Sequence, residues 1–188
     1  MTIVLTILMI IGIIISVILI TALILPKKYK VLREVTIQQP QQKVFDYIKY
    51  IRNQDGFSVW ANTDPNMKKT YKGDDGRVGF VSAWESDNKK VGAGEQEIIR
   101  VDEGKGIVTA LRFFKPFPGE AVAQFMTAPG ENNSTKVSWQ LDSAMKYPMN
   151  FMLLFINMDK MLGADMEKGL ENLKNKLLLK KSASIKIS

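Results

Sequence analysis

The first charged side chain in this chain is Lys27. From Ile3 to Leu25 run 23 uncharged positions, 17 of which are Ile, Leu or Val. A helix built from them is apolar on every side, so it has no polar face to turn towards water. At 1.5 Å per residue it extends roughly 35 Å, enough to cross a hydrocarbon layer of about 30 Å. Each aliphatic side chain near the centre favours insertion by about 0.3–0.6 kcal/mol, several kcal/mol in sum. Pro26 ends the run, and Lys27, Lys28 and Lys30 follow at headgroup level.

The competing reading is a cleaved secretory signal. It lacks support: no basic residue precedes the run, the run far exceeds a 7–15-residue signal core, and Ala22-Leu23-Ile24 is a poor small-x-small cleavage site. Residues 1–26 are therefore expected to be a single transmembrane anchor and 27–32 a basic juxtamembrane linker. Positive charge lies only on the C-terminal flank (Lys27, Lys28, Lys30, Arg33), which places the soluble part on the cytoplasmic side. Gly12-x-x-x-Ser16 is a spacing that lets helices approach. It is common by chance, so a monomeric anchor is expected and the oligomeric state is otherwise open.

Charge and composition narrow the function. The net charge of +7 divides into +4 over residues 27–60, −1 over 61–143 and +4 over 144–188. The surplus lies beside the anchor and within Asn172–Lys181, and no aromatic-interleaved basic groove accompanies it. Membrane lipids, rather than nucleic acid, are the expected partner of the basic juxtamembrane stretch. The chain has no Cys and no His. That excludes disulfides, Cys/His zinc or haem sites, thiolate nucleophiles and Ser-His dyads. No cofactor or metal is expected, and any reaction would fall to carboxylates, Lys, Arg, Tyr or Ser.

The soluble part alternates between two periods. Arg33–Gln38 reads as a strand with Val35 and Ile37 on one face, and Pro40 opens a short helix through Ile48. Asn53–Ser58 breaks that helix, and Trp60 to Met67 is a loop. Six strands follow at turn-punctuated spacing: Lys69–Gly73, one carrying Val78, Phe80 and Trp84 on one face, Val91–Val101, Ile107–Phe114, Glu120–Thr127 and Thr135–Asp142. Asn132-Asn133-Ser134-Thr135 matches the glycosylation acceptor pattern twice but reads as turn residues. Met158, Leu162, Met166, Leu170, Leu173 and Leu177 then recur every three or four residues, with Asp165, Lys168, Glu171 and Lys174 opposite. This is one long amphipathic helix, starting somewhere in Asn150–Asn157 and followed from Ser182 to Ser188 by a frayed tail. The simplest packing lays it across a curved seven-stranded antiparallel sheet, leaving a ligand-sized gap between them.

The run Trp60…Asp64-Pro65…Tyr71-x-Gly73…Gly76…Gly79…Trp84-Glu85-Ser86…Asn88-Lys89-Lys90-Val91-Gly92-x-Gly94-Glu95-x-x-Ile98 resembles the SRPBCC (START/Bet v 1-like) superfamily, in its polyketide cyclase/dehydrase-type branch. Lys115-Pro116-Phe117, Thr135-Lys136-Val137-Ser138-Trp139 and Met158-Asp159-Lys160-Met161-Leu162-Gly163…Glu167-Lys168-Gly169-Leu170-x-Asn172-Leu173-Lys174 continue the likeness, over roughly residues 33–178. The resemblance implies an α+β helix-grip fold over residues 33–181: two short helices after the first strand, and the long C-terminal helix across the concave face. It also implies a deep apolar cavity, with no one activity attached. No catalytic motif carries over.

The expected cavity lining is Trp84, Trp139, Phe80, Phe125, Met158, Leu162 and Met166, with Trp60 at the mouth or stapling its loop. Methionine suits a ligand of imprecise shape. Arg112 lies out of phase with Leu111 and Phe113: pointing inward it would hold an anionic headgroup, while the blander reading is an outer-face arginine paired across strands. Glu95 and Glu97 share a face, and the apolar neighbour Ile98 suggests that this face is the wet one. Three functions compete: a membrane-anchored binder of a lipid or other hydrophobic small molecule, which leads; an enzyme of cyclase or dehydratase type using pocket carboxylate, Arg or Tyr groups; and a protein-interaction or chaperone-assisting module. The first needs a hollow interior, the second at least two ionisable groups converging inside it, and the third an exposed apolar patch away from the helix–sheet gap.

Overall fold

In the computed structural model, which describes the backbone of residues 1–185 and side chains through Leu179, the apolar run forms helix α1 (Thr2–Ile24). Only residues 25–27 separate it from strand β1 (Lys28–Ile37). The expected linker is thus part of the sheet. Its lysines misled because they alternate: Tyr29 and Val31 continue inward the phase of Val35 and Ile37, while Lys28 and Lys30 point to solvent. Helix α2 (Gln41–Ile48) follows, with Val44, Phe45, Tyr47 and Ile48 buried, and then a 3-10 turn at Ile51–Gly56.

The remaining strands are β2 (Lys68–Lys72), β3 (Val81–Glu85), β4 (Ala93–Asp102), β5 (Gly106–Lys115), β6 (Gly119–Pro129) and β7 (Thr135–Ala144). They form one antiparallel sheet in the order β1-β7-β6-β5-β4-β3-β2, with β1 paired to β7 from Lys28↔Ala144 to Ile37↔Thr135. The meander and its seven strands match expectation. Val78 does not belong on the face with Phe80 and Trp84. Gly76 and Gly79 have positive φ, the turn persists to Phe80, and Val78 is 64% exposed. Asn132 and Asn133 are left-handed turn residues before β7.

Helix α3 (Met158–Ile185) is preceded by a 3-10 turn at Met149–Leu154. It continues past Ser182, where fraying was expected; residues 186–188 of that expected tail lie outside the described residues. Its buried stripe, Met166, Leu170, Leu173 and Leu177, packs with Val31, Ile37, Val44, Phe57, Phe125 and Trp139. Phe125 stacks on Trp139 with ring centroids 4.5 Å apart, and Phe57 and Trp60 meet Trp139 edge-on at 6.4 and 5.6 Å.

The helix lies across the concave face, as expected, and runs in closest contact along β1. Arg33, on the inner face of β1, adds a polar contact to the N-terminal half of the helix. Its Nη1 donates to Asp159 Oδ1 at 2.8 Å, its Nη2 to the Asp159 carbonyl at 2.9 Å, and its Nε lies 3.1 Å from Glu167 Oε1. The guanidinium passes so close over α3 that a Cβ on Gly163 would stand 1.9 Å from Nη2. Glycine there lets the guanidinium lie at contact distance; a methyl group would make the arginine tip swing away.

Two outcomes follow. Gly163→Ala lowers the melting temperature of the full chain, and adding Arg33→Met recovers part of the loss, a non-additivity measurable in a double-mutant cycle. The hydrogen bond from Arg33, helped by its charge, holds the Asp159 carboxyl below its ordinary range. A carboxyl whose folded pKa is depressed stabilises the fold above its unfolded pKa, near 4, and loses that contribution as pH falls through the folded value. The stability gap between wild type and Arg33→Met therefore narrows on acidification below about pH 4 in chemical denaturation.

Candidate ligand-binding site

The inner face of the sheet follows from register. In β3 it carries Ser82 and Trp84, in β4 Gln96, in β5 Leu111 and Phe113, in β6 Ala121, Ala123 and Phe125, and in β7 Trp139, Leu141 and Ser143. Because α3 lies along β1, it covers only part of this concave face. The remainder bounds a cavity of about 370 Å³, closed on the helix side by Met158, Leu162 and Met166. Gly94 shapes one wall: a Cβ there would stand 2.6 Å from the Trp84 ring, so its absence lets the indole lie against the sheet. The Trp84 ring then meets Phe113 edge-on at 6.0 Å.

Of the expected lining, Trp60, Trp84, Phe125, Trp139, Met158, Leu162 and Met166 border this space. Phe80 does not. It is buried with Ile51 and Ile98 in a separate small cluster, stacked on Tyr71 at 6.1 Å, because the glycine turn before β3 shifts it out of the strand. Arg112 does not either. It projects from the outer face of β5, where Nη1 donates to Glu95 at 2.8 Å and Nη2 to Glu97 at 2.6 Å. One forked guanidinium thus joins two carboxylates that alternate out of the cavity on β4, and this pairing raises the Arg112 pKa. The inward, anion-holding role for Arg112 is excluded by strand phase.

The lining also contains groups that sequence reasoning passed over. Leu111 and Phe113 were visible as the apolar neighbours out of phase with Arg112, and Leu141 as the partner of Trp139. At the β2 side stand Asp55, Lys69 and Tyr71. Lys69 Nζ donates to Asp55 Oδ1 at 2.6 Å. Burial, then the nearby Asp55 carboxylate, pushes the Tyr71 phenol up, so it stays protonated and able to donate. Gln96, buried, donates to Thr109 at 2.9 Å, and Gln54 Nε2 is buried without a hydrogen-bond partner. Lys69 and Tyr71 share a face of β2, but only the tertiary packing of the 3-10 turn beside β2 brings them to Asp55. No signal in the local sequence could join them. The cavity is therefore apolar along much of β5–β7 and α3, with Asp55, Lys69 and Tyr71 on its β2 side and Lys90, Lys115 and Ser143 at the β3–β4 and β5–β6 turn end. Among the described residues no group of carboxylates is arranged to hold a metal ion.

The sequence profile of the family described as polyketide cyclase/dehydrase and lipid transport matches residues 28–178. No curated protein matches the chain in sequence. Solved structures share the fold: norcoclaurine synthase from Thalictrum flavum (TM-score 0.57, 12% identity, covering 82% of this chain and 96% of that one); Ara h 8.0201 (0.54, 11%, 80% and 98%); and a protein from Chromobacterium violaceum (0.56, 13%, 79% and 96%). At such identities the likeness is one of architecture.

Ala123 and Arg112 give opposite expectations. Ala123→Phe places a ring in the cavity. It is expected to abolish the fluorescence enhancement of anilinonaphthalene sulfonate while costing less than the roughly 1–3 kcal/mol typical of overpacking a solid core. Arg112→Ala, on the outer face, is expected to leave probe binding unchanged.

Proposed function

Because the chain belongs to the polyketide cyclase/dehydrase and lipid transport family, we propose that it is a membrane-anchored binder of a lipid or other hydrophobic small molecule. The observation that carries this reading is the cavity of about 370 Å³ between α3 and the sheet, walled by Trp84, Leu111, Phe125, Trp139, Leu162 and Met166. Volumes of this order suit small ligands, and a mostly apolar wall with a few polar groups selects oily molecules with one polar end.

Anchoring is supported by α1 itself, which is long and apolar enough to cross a bilayer and exposes nearly all of its surface. A helix of the protein core would bury one side; this one buries only Ala22. Its last turn is also tied to the domain. Asn150, fully buried, donates from Nδ2 to the carbonyls of Ala22 at 2.7 Å and Leu25 at 3.3 Å. Removal of the segment as a signal would strip a buried amide of its acceptors, which favours retention. The basic flank, with Lys27, Lys28 and Lys30, favours a cytoplasmic domain.

A second reading draws on Asp55, Lys69 and Tyr71, which meet the requirement for converging ionisable groups in the cavity. In an enzyme of cyclase or dehydratase type these three would exchange protons with the bound molecule. Native mass spectrometry of the full chain extracted from its membranes in mild detergent separates the readings. A carrier yields a bound apolar species of the same mass in wild type and Asp55→Asn. An enzyme yields different species in the two, substrate accumulating in the variant. An empty cavity in both, with alkaline carbonate releasing the chain from membranes, contradicts the proposal.

A further inference from the structure

The strand ends place one end of the sheet beside α1. Register aligns Lys28 with Ala144, Ala121 with Ser143, Phe113 with Gly119, and Glu85 with Ala93, so the β3–β4 turn, the β5–β6 turn and the segment from β7 to α3 all gather where α1 joins β1. At this end apolar side chains face outward. Phe117 is 73% exposed and Phe155 72%, and Tyr147, Met149 and Leu154 are exposed beside them. The cavity lining reaches the same end through Phe117 and Met158.

The segment bearing most of these residues is held to α1. The last carbonyls of a helix lack intrahelical donors, and near a bilayer water is scarce. Asn150 supplies that donor to Ala22 and Leu25, and Met145 N–H donates to the Lys27 carbonyl at 2.8 Å. Ala22 lies within the uncharged run, three residues before its end at Leu25. Asn150 is thereby held level with the edge of the apolar span, and the neighbouring Met149, Leu154 and Phe155 cannot be far from it. Lysines surround the same end: Lys27, Lys28, Lys89, Lys90, Lys146 and Lys160 are exposed, against Asp87 and Glu120, which have no ion-pair partner among the described residues, while Glu85 and Asp159 already bond Lys115 and Arg33. Apolar side chains ringed by cations are the composition of a surface that enters an anionic bilayer interface.

We infer that residues 147–155 and Phe117 are immersed in the headgroup region of the bilayer beside α1, so that the cavity meets the lipid surface at this rim. The inference rests on the anchored-binder reading and specifies where its ligand is exchanged. A bilayer suits the rim better than a protein partner because the rim is continuous with α1 and fixed at its depth.

The absence of native cysteine permits single-site labelling. Full chains carrying Phe155→Cys, Leu154→Cys or Phe117→Cys, labelled with an environment-sensitive fluorophore, are reconstituted in phosphatidylcholine–phosphatidylglycerol vesicles containing doxyl-labelled lipid. Val78→Cys, at the opposite end, and Gly12→Cys, within α1, serve as references. The expected result is blue-shifted emission and doxyl quenching at 154, 155 and 117, with neither at 78. Quenching at 12 but not at the rim positions overturns the inference while leaving the anchor intact. Blue-shifted but unquenched rim labels indicate a protein or second copy covering the rim, and also overturn it. Absence of quenching at 12 overturns the anchor and the rim together.

Discussion

The buried stripe of α3, Met166, Leu170, Leu173 and Leu177, packed on Val31 and Ile37 of β1 and on Phe125 and Trp139, is the contact on which the rest of the molecule depends. Here a guanidinium rising from the edge strand takes Asp159 and Glu167, with Gly163 letting it pass at contact distance, and the N-terminal half of α3 is kept over β1. The concave surfaces of β3 to β6 are left without a full cover. Their apolar side chains line a hollow, and a hollow lined by Trp, Phe and Leu is a place for an apolar guest.

Much of this was legible in the residues. Period-two runs located the strands from Lys69 to Asp142, and the heptad-like recurrence from Met158 located α3. Composition ruled out thiolate, imidazole and disulfide chemistry outright. What misled were places where local pattern and register part company. Lys28 and Lys30 read as a linker because charge masked the alternation of Tyr29 and Val31. Val78 and Phe80 read as strand because Asp74-Asp75-Gly76 reads as the end of the turn, whereas Gly79 also has positive φ and carries it on to residue 80.

The candidate site divides in the same way. Trp84, Trp139, Leu162 and Met166 announce themselves by periodicity on their own elements. Arg112 offered two faces, and its pairing with Glu95 and Glu97 across β4 and β5 became visible only in the register. Asp55, Lys69 and Tyr71 come from a 3-10 turn and an edge strand, and nothing short of the tertiary arrangement brings them together. Asn150 is the clearest case: an asparagine in an apolar stretch carries no signal by itself, yet its amide is what joins the domain to the helix ahead of it.

The proposed anchor and rim and the observed cavity belong to one proposal, that of a hollow domain held beside a bilayer. The most direct measurement is electron density between α3 and the sheet in crystals of the full chain purified without delipidation. The account predicts continuous elongated density bounded by Trp84, Leu111, Phe125 and Leu162, with any polar end towards Lys69 and Tyr71. A space closed by those same side chains, with α3 moved off β1 onto the middle of the sheet, would contradict it.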